Sequence, residues 1–89
     1  MKKETITIAL ENGLEATPAA MLVQIASRFE SSVYIQSEDE KVRVNAKSIM
    51  GVMTLGLQAG ECVVVKAEGA DEDAAVESIS NYLSGKEIA

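Results

Sequence analysis

Ser48 stands directly before a short apolar run made of Ile49, Met50, Val52, Met53 and Leu55. A serine in that place can cap a helix, because its hydroxyl oxygen accepts a hydrogen bond from a free first-turn N–H. The same place attracts a phosphate, which free amides and the positive end of the helix stabilise. Ile49, Met50 and Met53 fall on neighbouring turns around the serine. A modifiable hydroxyl ringed by flexible thioethers is a docking surface in outline. The plain alternative is a structural cap with core residues behind it. Five apolar side chains within seven positions cannot all face one sheet, however. Val52 and Leu55 suit the inner face, and Met50 with at least part of Ile49 and Met53 is expected outside.

Other chemistries find little support. The chain has no histidine, so Ser78, Ser80 and Ser84 lack the base that a serine–histidine hydrolase needs. Cys62 is the single cysteine; it has Glu61 before it and no basic neighbour, which reads as a small hydrophobe and not as a reactive thiol. Gly51, Gly56 and Gly60 are not spaced as a phosphate loop, and no lysine–serine pair follows them. Glu38, Asp39 and Glu40 read as a solvated turn, and no metal site or cofactor is expected. A net charge of −6 opposes the counterion release that drives nucleic-acid binding, and 3% aromatic residues leave little to stack on bases. No run approaches the ~18 apolar residues of a membrane span. The opening MKKETITIAL lacks the apolar core of a signal peptide. A cytoplasmic protein without membrane contact is the expectation.

These residues must be positioned by a chain of 89, one domain's worth, expected to fold as a single unit over residues 1–89. Residues 4–10 alternate, with Ile6, Ile8 and Leu10 on one side, as in a half-buried strand. Asn12-Gly13 breaks it. Thr17 as cap and Pro18 at the first helical position then open a helix that places Ala19, Leu22, Ile25 or Ala26, and Phe29 on one stripe. Val33 and Ile35 face one side of the next strand, with Tyr34 and Gln36 opposite. A polar turn over residues 37–40 returns the chain to Val42 and Val44, a hairpin by pattern. Ser48 opens the short second helix, which Gly56 ends or loosens. Gly60 leads to a fourth strand over residues 63–67. Asp71 is a candidate cap for the last helix, with Glu72 and Asp73 in its first turn. Ala75, Val76, Ile79 and Leu83 form its stripe, and Gly85 suits its stop. The order βαββαβα predicts an α+β fold: a four-stranded, mostly antiparallel sheet with three helices on one face.

Three segments, NGLEATPAA at residues 12–20, AKSIMGVMTLGL at 46–57 and AEGADEDAAV at 67–76, closely resemble the HPr family of the bacterial sugar phosphotransferase system. The three occur in the family's order and the resemblance covers nearly the whole chain. It implies the HPr-like open-faced β-sandwich. The turn at residues 37–40 is longer than is usual in that family. Glu15 occupies the position of the family's phosphorylated histidine, and Thr17 that of its arginine, so the phosphocarrier site is degenerate. In HPr proteins of low-GC Gram-positive bacteria the serine matching Ser48 is the target of an ATP-dependent kinase.

The resemblance therefore implies a regulatory protein of carbon catabolite control, not an enzyme, that acts through Ser48. Its implied partners are an HPr kinase/phosphorylase and a LacI-type transcriptional regulator, with Ile49, Met50 and Met53 as the contact patch. The chain is closest in type to the family's histidine-less catabolite-repression paralogue. That paralogue carries glutamine and arginine where this chain has Glu15 and Thr17. A monomer or weak dimer is expected. Two other readings stay open: a phosphoryl-transfer component of sugar uptake that uses Glu15 as an acyl phosphate, and a diverged binding module with neither modification. Glu15 can also be a plain carboxylate near a helix start, worth ~0.3–1 kcal/mol, or a weak imitation of a phosphorylated site.

Overall fold

A computed structural model of the chain describes residues 1–9, 16–39, 41–55 and 58–85, with the backbone alone at residues 16 and 17. The elements follow the expected order: β1 (Lys2–Thr7), α1 (Ala16–Ala26), β2 (Ser32–Ser37), β3 (Arg43–Asn45), α2 (Ile49–Thr54), β4 (Cys62–Glu68) and α3 (Glu72–Leu83). The strands form one sheet in the order β1-β4-β2-β3, and every pairing is antiparallel. Val33 and Ile35 of β2 and Val63, Val65 and Ala67 of β4 are fully buried on one face. They share a core with Ala19, Leu22, Ile25 and Ala26 of α1, Val52 of α2, and Ala75, Val76, Ile79 and Leu83 of α3. The other face carries no helix among the described residues.

Several boundaries differ from the pattern, each for a physical reason. β1 begins at Lys2 and ends at Thr7, because its pairing with β4 sets its length while its exposed flank erases the alternation. Ile8 stays buried just past it, with its N–H donating to the Glu61 carbonyl at 2.8 Å. Leu10 and Asn12-Gly13 lie outside the described residues. α1 begins at Ala16, which overturns Thr17 as its cap and moves Pro18 to the third helical position. Proline is tolerated there, since first-turn amides have no intrahelical acceptor. α1 stops at Ala26, and tight bonds from Arg28 to Ile25 (3.1 Å) and Phe29 to Ala26 (3.2 Å) continue the turn. β3 starts after Val42, which is exposed instead of inward. β4 gains one residue at each end of the expected span.

The turn between β2 and β3 is organised by its own polar groups. Asp39 accepts from the Ser37 hydroxyl at 2.6 Å and the Lys41 N–H at 3.1 Å, which lowers its pKa. The Val42 N–H donates to the Ser37 Oγ at 3.1 Å. Gly85 closes α3 with φ +82, a left-handed conformation that glycine adopts without penalty.

Asp71 departs most from expectation. It occupies the N-cap position of α3, yet its side chain makes no capping bond to that helix. Its carboxylate instead accepts from the Glu30 N–H at 2.9 Å, the Ser31 N–H at 2.9 Å and the Ser31 hydroxyl. The start of α3 is thereby clamped to the connection between α1 and β2. Gly69 makes the clamp possible: a Cβ there would lie 2.6 Å from the Ser31 Oγ and 2.7 Å from the Ser31 Cα. The Gly69 N–H donates to Glu72 at 3.2 Å, so this short segment is fastened from both sides.

The Ser31 hydroxyl, foremost among these donors, pulls the Asp71 pKa below its ordinary value. The clamp's contribution is complete above about pH 4, the ordinary aspartate value, and is lost as pH falls through the depressed folded value. Asp71→Ala is expected to lower the urea midpoint at neutral pH, with the gap to the unmodified chain narrowing below about pH 4. A gap that stays constant with pH refutes the clamp as a charge-dependent element.

Candidate functional site

The connection from β3 to α2 places Ser48. The Lys47 N–H donates to the Asn45 side-chain oxygen at 2.8 Å, and the Ser48 N–H to the Asn45 carbonyl at 3.0 Å. The Lys47 ammonium reaches the Phe29 carbonyl at 2.8 Å, at the end of the turn that follows α1. Orphan carbonyls past a helix end favour such a cation. Residues 46–48 are therefore held from both sides before α2 begins.

Ser48 has extended backbone, with φ −112 and ψ 112, and its Oγ accepts from the Gly51 N–H at 3.2 Å. It is the helix cap that its position suggested, and it is exposed. A Cβ at Gly51 would sit 3.5 Å from the Oγ, an ordinary van der Waals contact, so the cap does not depend on glycine there. α2 has six residues, fewer than two turns, so local amides outweigh any summed dipole at its start.

The apolar run divides as its crowding required. Val52 is fully buried and Leu55 half-buried, whereas Ile49 is 38% exposed, Met53 43% and Met50 72%. Ser48 therefore lies beside three accessible apolar side chains. Gly56 lies outside the described residues, as does Glu15; Thr17 is placed only as backbone within the first turn of α1. The structure thus assembles Ser48, Ile49, Met50 and Met53, and does not describe the degenerate carrier pair.

Two further side chains, Lys47 before Ser48 and Met21 on α1, were not among the expected site residues. Lys47 left no signal, because its acceptor is a backbone carbonyl eighteen residues away. Met21, 40% exposed on α1, which packs against α2, was legible: it falls off the stripe of Ala19, Leu22 and Ile25. Cys62 is half-buried on the helix-free side of the sheet, 3.5 Å from the Thr7 hydroxyl, with no cation in hydrogen-bonding reach among the described residues. The described residues hold no cluster of three potential metal ligands and no helix long and apolar enough to cross a membrane.

Residues 2–84 match the family described as PTS HPr component phosphorylation site. The chain belongs to the HPr family. It is 42% identical over 83 residues to the HPr-like protein Crh of Bacillus subtilis, covering 93% of this chain and 95% of that protein. The crystal structure of the phosphocarrier protein HPr from Bacillus anthracis superposes with a TM-score of 0.87 at 39% identity, over 92% of this chain and 95% of that one. The crystal structure of Bacillus subtilis Crh, described as a dimer with a swapped domain, covers both chains fully at 38% identity with a TM-score of 0.79. The α+β order expected from the residue pattern and the HPr fold implied by the resemblance are both observed.

Stability separates the roles of these side chains. Ser48→Ala is expected to cost ~0.5–2 kcal/mol through the lost cap. Met50→Ala is expected to change stability by no more than about 0.5 kcal/mol, whereas Leu22→Ala in the core costs ~2–5 kcal/mol. Urea unfolding of the three variants checks the division. A core-sized loss at Met50 would place that residue inside and remove the exposed patch.

Proposed function

We propose that this HPr-family chain is a regulatory protein of carbon catabolite control whose switch is phosphorylation of Ser48. It acts in the cytoplasm as one domain over residues 1–89, and it is a substrate and ligand of other proteins, not an enzyme. Support comes chiefly from one observation: an exposed serine hydroxyl beside exposed Ile49, Met50 and Met53, in a chain without a histidine. An HPr kinase/phosphorylase would join the Ser48 Oγ to the terminal phosphorus of ATP, releasing ADP and the hydroxyl proton. The product adds about −1.5 to −2 charge beside the apolar patch. A LacI-type regulator would read it with a basic group placed next to a hydrophobic pocket. The likeness to a catabolite-repression relative favours this partner class. A monomer or weak dimer suits the role, since the described patch lies on one small helix.

Phosphocarrier chemistry is not expected of this chain. A histidine nitrogen accepts a phosphoryl group and releases it readily. Glu15 would have to form an acyl phosphate without the guanidinium that Thr17 displaces, and transfer needs such donors to offset charge. Glu15 then serves as a fixed carboxylate near the start of α1.

Incubation with ATP and an HPr kinase/phosphorylase is expected to add one phosphoryl mass mapped to Ser48, and Ser48→Ala to abolish it. Met50→Ala is expected to keep the labelling and weaken regulator binding. Absence of labelling in the unmodified chain sinks the regulatory reading and leaves the diverged binding module.

Phosphoenolpyruvate with enzyme I is expected to leave the mass unchanged. Glu15→His alone is expected to restore slow transfer, and Glu15→His with Thr17→Arg to restore it better through bidentate donors. Labelling of Glu15 in the unmodified chain would establish the carrier reading instead, and equal rates for the two variants would discard the role given to the arginine.

A further inference from the structure

The helix-free face of the sheet concentrates positive charge on an acidic chain. Register places Lys3 opposite Lys66, Lys66 opposite Tyr34, and Gln36 opposite Arg43, all on that face. Among the strand residues, three of the chain's eight basic side chains fall on that face, against one carboxylate, Glu68, at the end of β4. None of the three cations has a carboxylate within ion-pair distance among the described residues. Lys3 and Lys66 are direct cross-strand neighbours, an arrangement in which like charges destabilise a sheet. Arg43 lies over the Tyr34 ring at 4.7 Å from its centre. The fold therefore holds repelling cations apart from the carboxylates that surround them elsewhere.

We propose that this face docks an extended acidic segment of a partner protein. Across β1-β4-β2-β3 the cations span three inter-strand steps, roughly 14 Å. That is too long for one phosphate group, and it matches carboxylates four residues apart on an extended chain, roughly 13 Å. Tyr34 and Val64, both half-buried, give the segment an apolar floor between the charges. A nucleic acid fits less well. The guanidinium already covers the accessible Tyr34 ring, and the strong acidity outside this face repels a polyanion that extends beyond it. Two copies of this chain would set cation against cation. The proposal is independent of Ser48, whose patch lies on α2.

Amide-shift mapping of the full chain with a short synthetic peptide that carries two glutamates four residues apart, at low salt, tests it. Resonances of residues 3–5, 34–36, 43–45 and 64–66 are expected to move and to return as salt screens the charges. Lys66→Gln and Arg43→Gln, with folding verified by the same spectra, are each expected to weaken binding about fivefold, the upper end for one exposed ion pair. Lys66→Gln is also expected to raise the melting temperature by relieving Lys3, a signature that mere loss of structure cannot give. Shifts confined to residues 48–53, or none at all, overturn the proposal. So does binding indifferent to both variants, or tighter binding to oligothymidylate or to phosphatidylglycerol vesicles.

Discussion

One carboxylate reaches further than its own helix. Asp71 binds Glu30 and Ser31, residues that precede it by about forty positions, and so holds the connection that leads into β2. The next residue back, Phe29, offers the carbonyl that receives the Lys47 ammonium. Lys47 is followed by Ser48, whose oxygen holds the first turn of α2. Polar contacts joined by two steps along the backbone thus run from the start of α3 to the exposed hydroxyl. The sheet supplies the plane on which this happens: β4 and β2 bury the valines and isoleucine that hold the three helices to one side.

The two sides of the sheet obey different rules. On the helical side, alternation of apolar residues is enforced by burial, and single-residue slips would turn every valine outward. On the other side, no helix among the described residues covers the strands, and side chains pack only against their cross-strand neighbours. Gln36 shows what that permits: it belongs to the helix-free face by register, yet it is buried between Val64 of β4 and Arg43 of β3. Tyr34 and Arg43 likewise satisfy each other on the surface without help from the core.

Much of this is legible in the sequence. Periodicity gave the order of elements, the stripes of α1 and α3, and the division of the run after Ser48 into Val52 inward and Met50 outward. Crowding required only that some of the run lie outside, because five apolar side chains within seven positions exceed one inner face. What stayed hidden was long-range and polar. Asp71 looks like a cap by every local rule, and only the approach of Ser31, allowed by the missing side chain of Gly69, diverts its carboxylate. Lys47 pairs with a backbone atom, and such acceptors leave no trace in residue type. Thr17 misled for a simpler reason: proline prefers the first helical position but is tolerated throughout the first turn, so Pro18 marked a helix start without fixing its first residue.

The capping bond at Ser48 has a consequence for recognition. Its oxygen is held by a backbone amide on one side, and the residues before it are tied to Asn45 and Phe29. A group attached there would inherit a fixed origin instead of swinging on a loose loop. The usual loss of conformational freedom on binding would then fall mainly on the partner. In the proposed role, preorganisation of this kind would let one serine and three apolar side chains be read selectively without a large surface.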